Sequence, residues 1–263
     1  MENKRIFAVL QTDARQAAAA RALRRAGYCV AGAEETAEAD FIVLPLPLDD
    51  ERVGLAQLLR AAKPGAIALG GKVSPRAKAA ADSAEIELID YFARPELTTL
   101  NAIPTAEGCI ALLMKHRKRT LWGSPVLVVG YGHVGKAVAA RLAALGAKVT
   151  VAARRAVQRA EALSAGCKAV DTHLLEQTAP GFDTVVNTVP ALLLTAPVLT
   201  RLPPRSLIVD LASRPGGTDF TAARALEHTA VHALSLPALC APESAGEFVA
   251  TTVLEILAER GAL

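Results

Sequence analysis

Short apolar runs and stretches with apolar residues at three- and four-residue spacing alternate along the first hundred residues. The runs Arg5–Leu10, Phe41–Leu44, Ala66–Leu69 and Ile86–Ile89 predict strands, with Tyr28–Ala31 a further candidate. Between them the spacing predicts helices over Ala14–Ala26, ended by Gly27, over about Arg52–Ala62, and after Pro75. Strands that alternate with helices imply a mainly parallel sheet. A helix opened by Pro104 in its first turn, with Asn101 or Thr105 near its cap, is expected to run to about Lys118. A second alternating block follows, and Ser244–Arg260 has the spacing of a closing amphipathic helix, with Phe248, Thr252, Leu254 and Leu257 on one side.

The second block opens with the most specific pattern in the chain. The apolar run Val126–Val129 leads into Gly130-Tyr131-Gly132-His133-Val134-Gly135, and the helix that follows carries Val138, Leu142 and Leu145 on one face and stops at Gly146. In this spacing Gly130 allows the tight turn, Gly132 lets backbone approach a pyrophosphate, and Gly135 lets helix and strand pack closely. A second strand, Lys148–Ala153, ends in Ala153-Arg154-Arg155 with no acid. NAD sites place an Asp or Glu there for the ribose 2′-hydroxyl, whereas arginines suit the 2′-phosphate, so NADP is expected in preference to NAD. The other reading of both arginines is as solvated turn residues. The fold class expected is therefore α/β, with two alternating α/β domains joined by interdomain helices, the second a Rossmann-type doubly wound parallel sheet. The expected boundaries are an N-terminal substrate domain over 1–100, a linking helix over 101–122, a dinucleotide-binding domain over 123–240 and a C-terminal helix, 241–263, packing back on the first domain.

Two domains of this kind leave a cleft at the carboxyl ends of the strands, and three segments are placed near it. The strand from Thr184 ends in Asn187-Thr188-Val189-Pro190, expected to line the nicotinamide ribose. The strand Leu207–Ala212 leads to Ser213-Arg214-Pro215-Gly216-Gly217, where a guanidinium beside paired glycines suits a carboxylate or phosphate grip. The third is Asn101–Gly108, whose Thr105 and Glu107 also read as caps and first-turn acids.

Composition narrows the partners. With 29 basic and 26 acidic residues the formal net charge is +3, and the densest basic cluster, Lys115–Arg119, closes a helix, so no nucleic acid is expected. Cys29, Cys109, Cys167 and Cys240 show neither metal-ligand spacing nor a CxxC pair, which predicts no metal and reduced thiols in a cytoplasmic protein. The long uncharged stretch Thr184–Thr200 holds Asn187, Pro190 and Pro197, so no membrane span is expected there.

The segments Asn101–Gly108, Val129–Gly135, Asp210–Phe220 and Ala241–Gly246, in this order, resemble the family formed by the A subunits of dipicolinate synthase. Asp13-Ala14-Arg15-Gln16 also resembles the family's Asp-x-Arg-Gln segment, although Gln11-Thr12 stands where the family usually has Gly-Gly. The resemblance implies an NADP-dependent oxidoreductase that converts 4-hydroxy-tetrahydrodipicolinate to pyridine-2,6-dicarboxylate with loss of water. It also implies an association with sporulation and a flavoprotein-like B subunit. On that chemistry Arg214 and Arg15 are candidates for the two substrate carboxylates, Glu107 is the first choice as general acid/base, and Ser213, Thr105 and Asn101 are hydrogen-bond donors that orient the ring. His133 is expected to pack or bond near the pyrophosphate rather than to move protons. A homo-oligomer is a base-rate expectation for such a chain. Two alternatives stand beside this reading. One is a dehydrogenase of 2-hydroxy-acid or shikimate type, whose His–acid pair His228 and His232 do not obviously supply; the other is a non-catalytic NADPH-binding partner protein.

Overall fold

The computed structural model describes residues 5–48 and 54–263. It divides into two compact units, one comprising residues up to Asn101 together with Pro237–Leu263, the other Ala102–Leu236.

The first unit holds β1 (Ile6–Val9), α1 (Ala14–Arg25), β2 (Cys29–Ala31), β3 (Phe41–Val43), α2 (Leu55–Ala61), β4 (Ile67–Gly70), α3 (Pro75–Ser83) and β5 (Glu87–Asp90). The expected start of α2 at Arg52 lies outside the described residues. All pairings are parallel, in the order β2-β1-β3-β4-β5, so the strand order reverses between β1 and β3. Both faces are covered, as a parallel sheet requires. Phe7, Val9, Phe41 and Val43 pack with Leu23 of α1 on one side, while Ala8, Ile42 and Leu44 pack with Leu55 and Leu59 of α2 on the other. Asp13 starts α1 by accepting from the Gln16 amide at 3.0 Å, and Ser74 caps α3 in the same way through Ala77, ahead of Pro75.

The next helix, α4 (Pro95–His116), corrects the expected start at Pro104. Pro95 opens it instead, and Pro104 lies inside, where it removes one backbone donor. The pattern misled because Pro104 looks like a first-turn proline, while the residues before it are already bound into the helix: Thr98 N–H donates to Arg94 at 3.1 Å, and the Thr98 and Thr99 hydroxyls return to the Pro95 carbonyl. Asn101 and Thr105 are thus interior residues rather than caps. By length and a mean hydropathy of 1.3, α4 is apolar enough to cross a bilayer, but half of that window is buried in protein, and Cys109 and Leu113 belong to a core.

The second unit continues with β6 (Pro125–Val129), α5 (His133–Ala144), β7 (Lys148–Ala152), α6 (Ala156–Ser164), β8 (Lys168–Val170), α7 (Leu175–Thr178), β9 (Thr184–Asn187), α8 (Ala196–Thr200), β10 (Leu207–Asp210), α9 (Phe220–Ala225) and β11 (Thr229–His232). Its parallel sheet runs β11-β10-β9-β6-β7-β8, the doubly wound Rossmann order, reversing between β6 and β9. Val126, Val128 and Val209 pack with Leu113 of α4 and Leu142 of α5, and Leu127, Val185 and Ile208 face Leu175 and Leu199 on the other side.

After α10 (Leu236–Cys240), the chain ends in α11 (Pro242–Glu259), which lies on α1 of the first unit. Gly246 permits the approach, since a Cβ there would stand 2.5 Å from both the Ala18 Cβ and the Arg15 carbonyl. Exposed ion pairs, Arg21 with Glu243 and Arg25 with Glu247 at 2.6 Å, add no more than about 1 kcal/mol each.

Candidate functional site

The carboxyl edge of the second sheet gathers most of the expected site residues. Gly130 leaves β6 at φ +97°, and a Cβ there would fall 2.3 Å from the Thr188 hydroxyl. A Cβ on Gly135 would meet the Gly130 carbonyl at 2.2 Å, so strand and helix touch through backbone. Gly132 differs from both: it precedes the first turn of α5 and has nothing within 4 Å of where a Cβ would project. A helix start beside open space, with no side-chain cap from Gly132 and flanked by two glycines that admit no side chain, fits a dinucleotide pyrophosphate. Exposed His133 and half-buried Val134 stand in that first turn, and Tyr131 is buried beneath it, with Gln158 donating to its carbonyl at 3.2 Å.

The turn after β7 is built to present two cations. Ala153 is buried, and the Arg159 guanidinium donates to the carbonyls of Ala153 at 2.8 Å and Arg154 at 2.7 Å while pairing with Asp171 at 2.6 Å. Arg154 and Arg155 are exposed, and neither guanidinium is paired among the described residues. Arg159, one turn into α6, thus fixes the backbone that carries them. Sequence reasoning missed it because a helix-surface arginine has no distinctive spacing.

At the ends of β9 and β10 the organiser is Asp210, which sequence reasoning also missed. It is fully buried and accepts four hydrogen bonds: from Asn187 Nδ2 at 2.9 Å, from the amides of Ala212 at 3.0 Å and Gly217 at 2.8 Å, and from the Thr218 hydroxyl at 2.7 Å. The signal that could have found it is a lone carboxylate closing an otherwise apolar strand, Leu207-Ile208-Val209-Asp210. A burial this complete is tolerable only because every oxygen is bonded. Gly216, at φ +91°, and Gly217 let the loop fold tightly over the carboxylate; a Cβ on Gly217 would meet the Val189 carbonyl at 2.4 Å.

This network revises the role expected for Asn187. Its side chain is fully buried, its amide donates to Val189 and Asp210, and its oxygen accepts from the Val189 amide at 3.1 Å. Its carboxamide is occupied in shaping the turn that carries half-buried Thr188 and Val189 and exposed Pro190, rather than in contacting a ribose. The Thr188 hydroxyl in turn donates to the Val129 carbonyl at 2.9 Å, so it too is turned inward beside the glycine turn.

Ser213 and Arg214 project from the locked loop and are exposed, with no partner for the Arg214 side chain among the described residues. From β10 to β6 are two strand spacings, about 10 Å across the sheet. His232 contacts the base of this loop, its Nε2 bonded to the Ala212 carbonyl at 2.8 Å and its ring stacked on Phe220. His228 bridges the Leu199 carbonyl and the Ser206 amide. Neither histidine has a carboxylate partner in these contacts.

Two expected roles do not match the geometry. Glu107 is exposed and paired with Arg141 at 3.4 Å, on the third turn of α5. Arg141 lies eight residues after His133, about 12 Å along the axis, so Glu107 is tied to the helix body rather than to its phosphate-facing start. Thr105 on the same helix is buried and Asn101 half-buried. Arg15, in the first unit, is only 5% exposed, and its guanidinium is engaged by Asp13 at 3.0 Å and by the Leu46 carbonyl. It braces the carboxyl ends of β1 and β3, where that sheet's order reverses, instead of standing free. Neighbouring Gln16 reaches the Tyr91 hydroxyl, which donates to the Leu44 carbonyl at 2.9 Å; burial pushes the Tyr91 hydroxyl's pKa upward and keeps it a donor.

Among the described residues no cluster of His, Cys, Asp and Glu has a metal-holding arrangement. Residues 107–222 match the family model of the D-isomer specific 2-hydroxyacid dehydrogenase NAD-binding domain. The A subunit of dipicolinate synthase from Bacillus subtilis (strain 168) is 39% identical over 179 residues, a stretch that takes in 68% of this chain and 60% of that protein's length. The crystal structure of the dipicolinate synthase A subunit from Bacillus halodurans superposes with a TM-score of 0.89 at 28% identity, over 98% of this chain and 99% of that one. The crystal structure of the same subunit from Bacillus subtilis superposes with a TM-score of 0.86 at 30% identity, over 100% of this chain and 98% of that one. With this fold, this glycine cradle and these relatives, the chain belongs to the family of dipicolinate synthase A subunits.

Proposed function

We propose that the chain is the A subunit of a dipicolinate synthase, oxidising 4-hydroxy-tetrahydrodipicolinate to pyridine-2,6-dicarboxylate with loss of water, in the cytoplasm of a spore-forming cell and together with a second subunit. The observation that carries this reading is Arg214, an exposed guanidinium with no partner among the described residues, on a loop locked by Asp210 at the same sheet edge as the glycine cradle. A guanidinium held there pairs with one carboxylate of a dianionic ring through charge-assisted hydrogen bonds, and Ser213 beside it offers a hydroxyl to the same ligand. Because the loop is ordered before the ligand arrives, binding does not have to order it.

The cofactor proposed is NADP. When bound, its oxidised nicotinamide accepts a hydride, and aromatisation of the ring drives the reaction. The first turn of α5 would hold the pyrophosphate, and Arg154 and Arg155 the 2′-phosphate, since the end of β7 offers two exposed cations, unpaired among the described residues, and no acid. Glu107 is not assigned the proton role, given its tie to Arg141. The 2-hydroxy-acid reading loses support because His228 and His232 both bond to backbone carbonyls rather than to an acid. Free cysteines at all four positions suit a reducing compartment.

Purified chain supplied with freshly generated 4-hydroxy-tetrahydrodipicolinate and NADP, with and without the second subunit, tests the reading. NADPH and aromatic product rising together support it. Tight NADPH binding with no product in either mixture overturns the substrate while leaving the cofactor site standing. Arg214→Ala is expected to raise KM for the dicarboxylate at least tenfold without changing the affinity for NADPH, and Arg154→Ala with Arg155→Ala to weaken NADPH but not NADH.

A further inference from the structure

The second unit carries an apolar patch that neither the cradle nor the Arg214 loop uses. Trp122, the only tryptophan in the chain, is 76% exposed, with Met114 at 55% and Leu145 at 40% beside it around a shallow groove of about 440 Å³. Apolar surface of this kind is better out of water, so leaving three such side chains together exposed is a standing cost that a partner would remove. The indole is not loosely placed. It rests on the backbone of Gly146, where a Cβ would stand 2.4 Å from the ring, and the Gly123 amide next to it donates to the Gly146 carbonyl at 2.8 Å. An exposed aromatic platform backed by protein is the kind of residue that dominates binding energy at protein interfaces.

The rim of the groove is basic. Lys118 and Arg119 line it and are exposed, with no ion-pair partner among the described residues, whereas neighbouring Arg117 is turned inward and spent on Asp183, Ser124 and Thr184. This charge decides between occupants. A second copy docking about a two-fold axis through Trp122 would set Lys118 and Arg119 against their own counterparts, and like charges at close quarters oppose association. A different chain with carboxylates around an apolar projection satisfies both the indole and the rim.

We propose that the Trp122 groove is the docking surface for an acidic-rimmed apolar segment of the second subunit. The identity of that partner rests on the two-subunit reading above; the surface and its chemistry rest on the residues named here. The groove lies beside α4 and the carboxyl end of α5, while the cradle sits at the amino end of α5, so a partner seated there leaves the glycine turn open.

The test is a titration of the intact chain with the purified second subunit from the same organism, read by Trp122 emission and independently by sedimentation. The expected result is a blue shift and loss of acrylamide quenching, with affinity falling as salt rises. Lys118→Glu with Arg119→Glu, at two exposed positions without an ion-pair partner among the described residues, should weaken binding at least tenfold and leave NADPH affinity unchanged. If the second subunit sediments with the chain while Trp122 stays quenchable and the double reversal binds as well as the parent, the surface is wrong and the two-subunit reading survives. If it does not bind at all, both fall. If emission shifts with the concentration of the chain alone, the occupant is a second copy and the proposal is overturned.

Discussion

Replacing Asp210 separates a residue that orders the site from one that merely fills space beneath it. Asp210→Ala removes the acceptor for four donors. Two of these adapt: the Thr218 hydroxyl can rotate, and Asn187 keeps its bond to Val189. The amides of Ala212 and Gly217 cannot, and each buried orphan costs about 1–3 kcal/mol, which gives about 4 kcal/mol in all. Asp210→Asn is the informative contrast. Its remaining oxygen can serve Asn187 and Ala212, and its new amide can donate to a rotated Thr218 hydroxyl, leaving only the Gly217 amide orphaned, at about 2 kcal/mol. Urea unfolding followed by circular dichroism reads both: for a slope of about 2 kcal/mol per molar, the transition of the unit holding Asp210 should move down by about 2 M for Ala and about 1 M for Asn. The Asn variant, still folded, should bind NADPH normally but lose affinity for the dicarboxylate, because the released loop is the one that carries Arg214. An alanine variant within about 0.5 kcal/mol of the parent would refute the account, since that is the range of an inconsequential surface change.

Three further outcomes are expected. Gly132→Ala should leave the unfolding free energy read by urea within about 0.5 kcal/mol of the parent, because nothing lies near the added methyl, yet reduce NADPH affinity at least tenfold in a fluorescence titration; Gly130→Ala, with its positive φ and the Thr188 hydroxyl in the way, should lose stability as well. Native chain should titrate Cys29 and Cys240 with a thiol reagent while buried Cys109 and Cys167 react only after unfolding, and equal rates at all four would contradict the packing. Burial raises the Cys109 pKa from 9.0 to about 12, so the unfolded thiol ionises first and this group's stabilising contribution, complete below pH 9, should drain away as pH rises to 12; Cys109→Ala should flatten that part of the pH–stability curve.

Much of the fold was legible because parallel sheets announce themselves in alternating runs: the strands expected from such runs are observed within about two residues, whereas the edge strands β8 and β11, short and only partly buried, had no run assigned to them. The glycine turn was legible for a stronger reason: each of its three glycines answers to a different steric demand, and only that spacing meets all three at once. Pro104 shows where local rules fail, since a proline is read as a beginning although Pro95 had already begun the helix and tertiary packing carried it onward. Glu107 and Arg15 show a second limit. Residue type suggested their chemistry, but what engages each one, Arg141 on another helix or a carbonyl thirty-one residues away, is a matter of three-dimensional packing with no local trace. Asp210 and Arg159 were hidden for the converse reason, as they act by holding backbone in place and carry no motif of their own.

Arg159 has a consequence for how this protein can change. Because it clasps the carbonyls of Ala153 and Arg154 from α6, the course of that turn does not depend on the two exposed side chains it displays. If Arg154 and Arg155 hold the coenzyme as proposed, its choice is uncoupled from folding: both can be exchanged for acids, by drift or by design, at little cost to the domain, whereas the same exchange at Arg159 would unfasten the turn itself. On that proposal, descendants of this sequence would have a short mutational path between the two nicotinamide cofactors, and the residue that keeps the path open need touch neither of them.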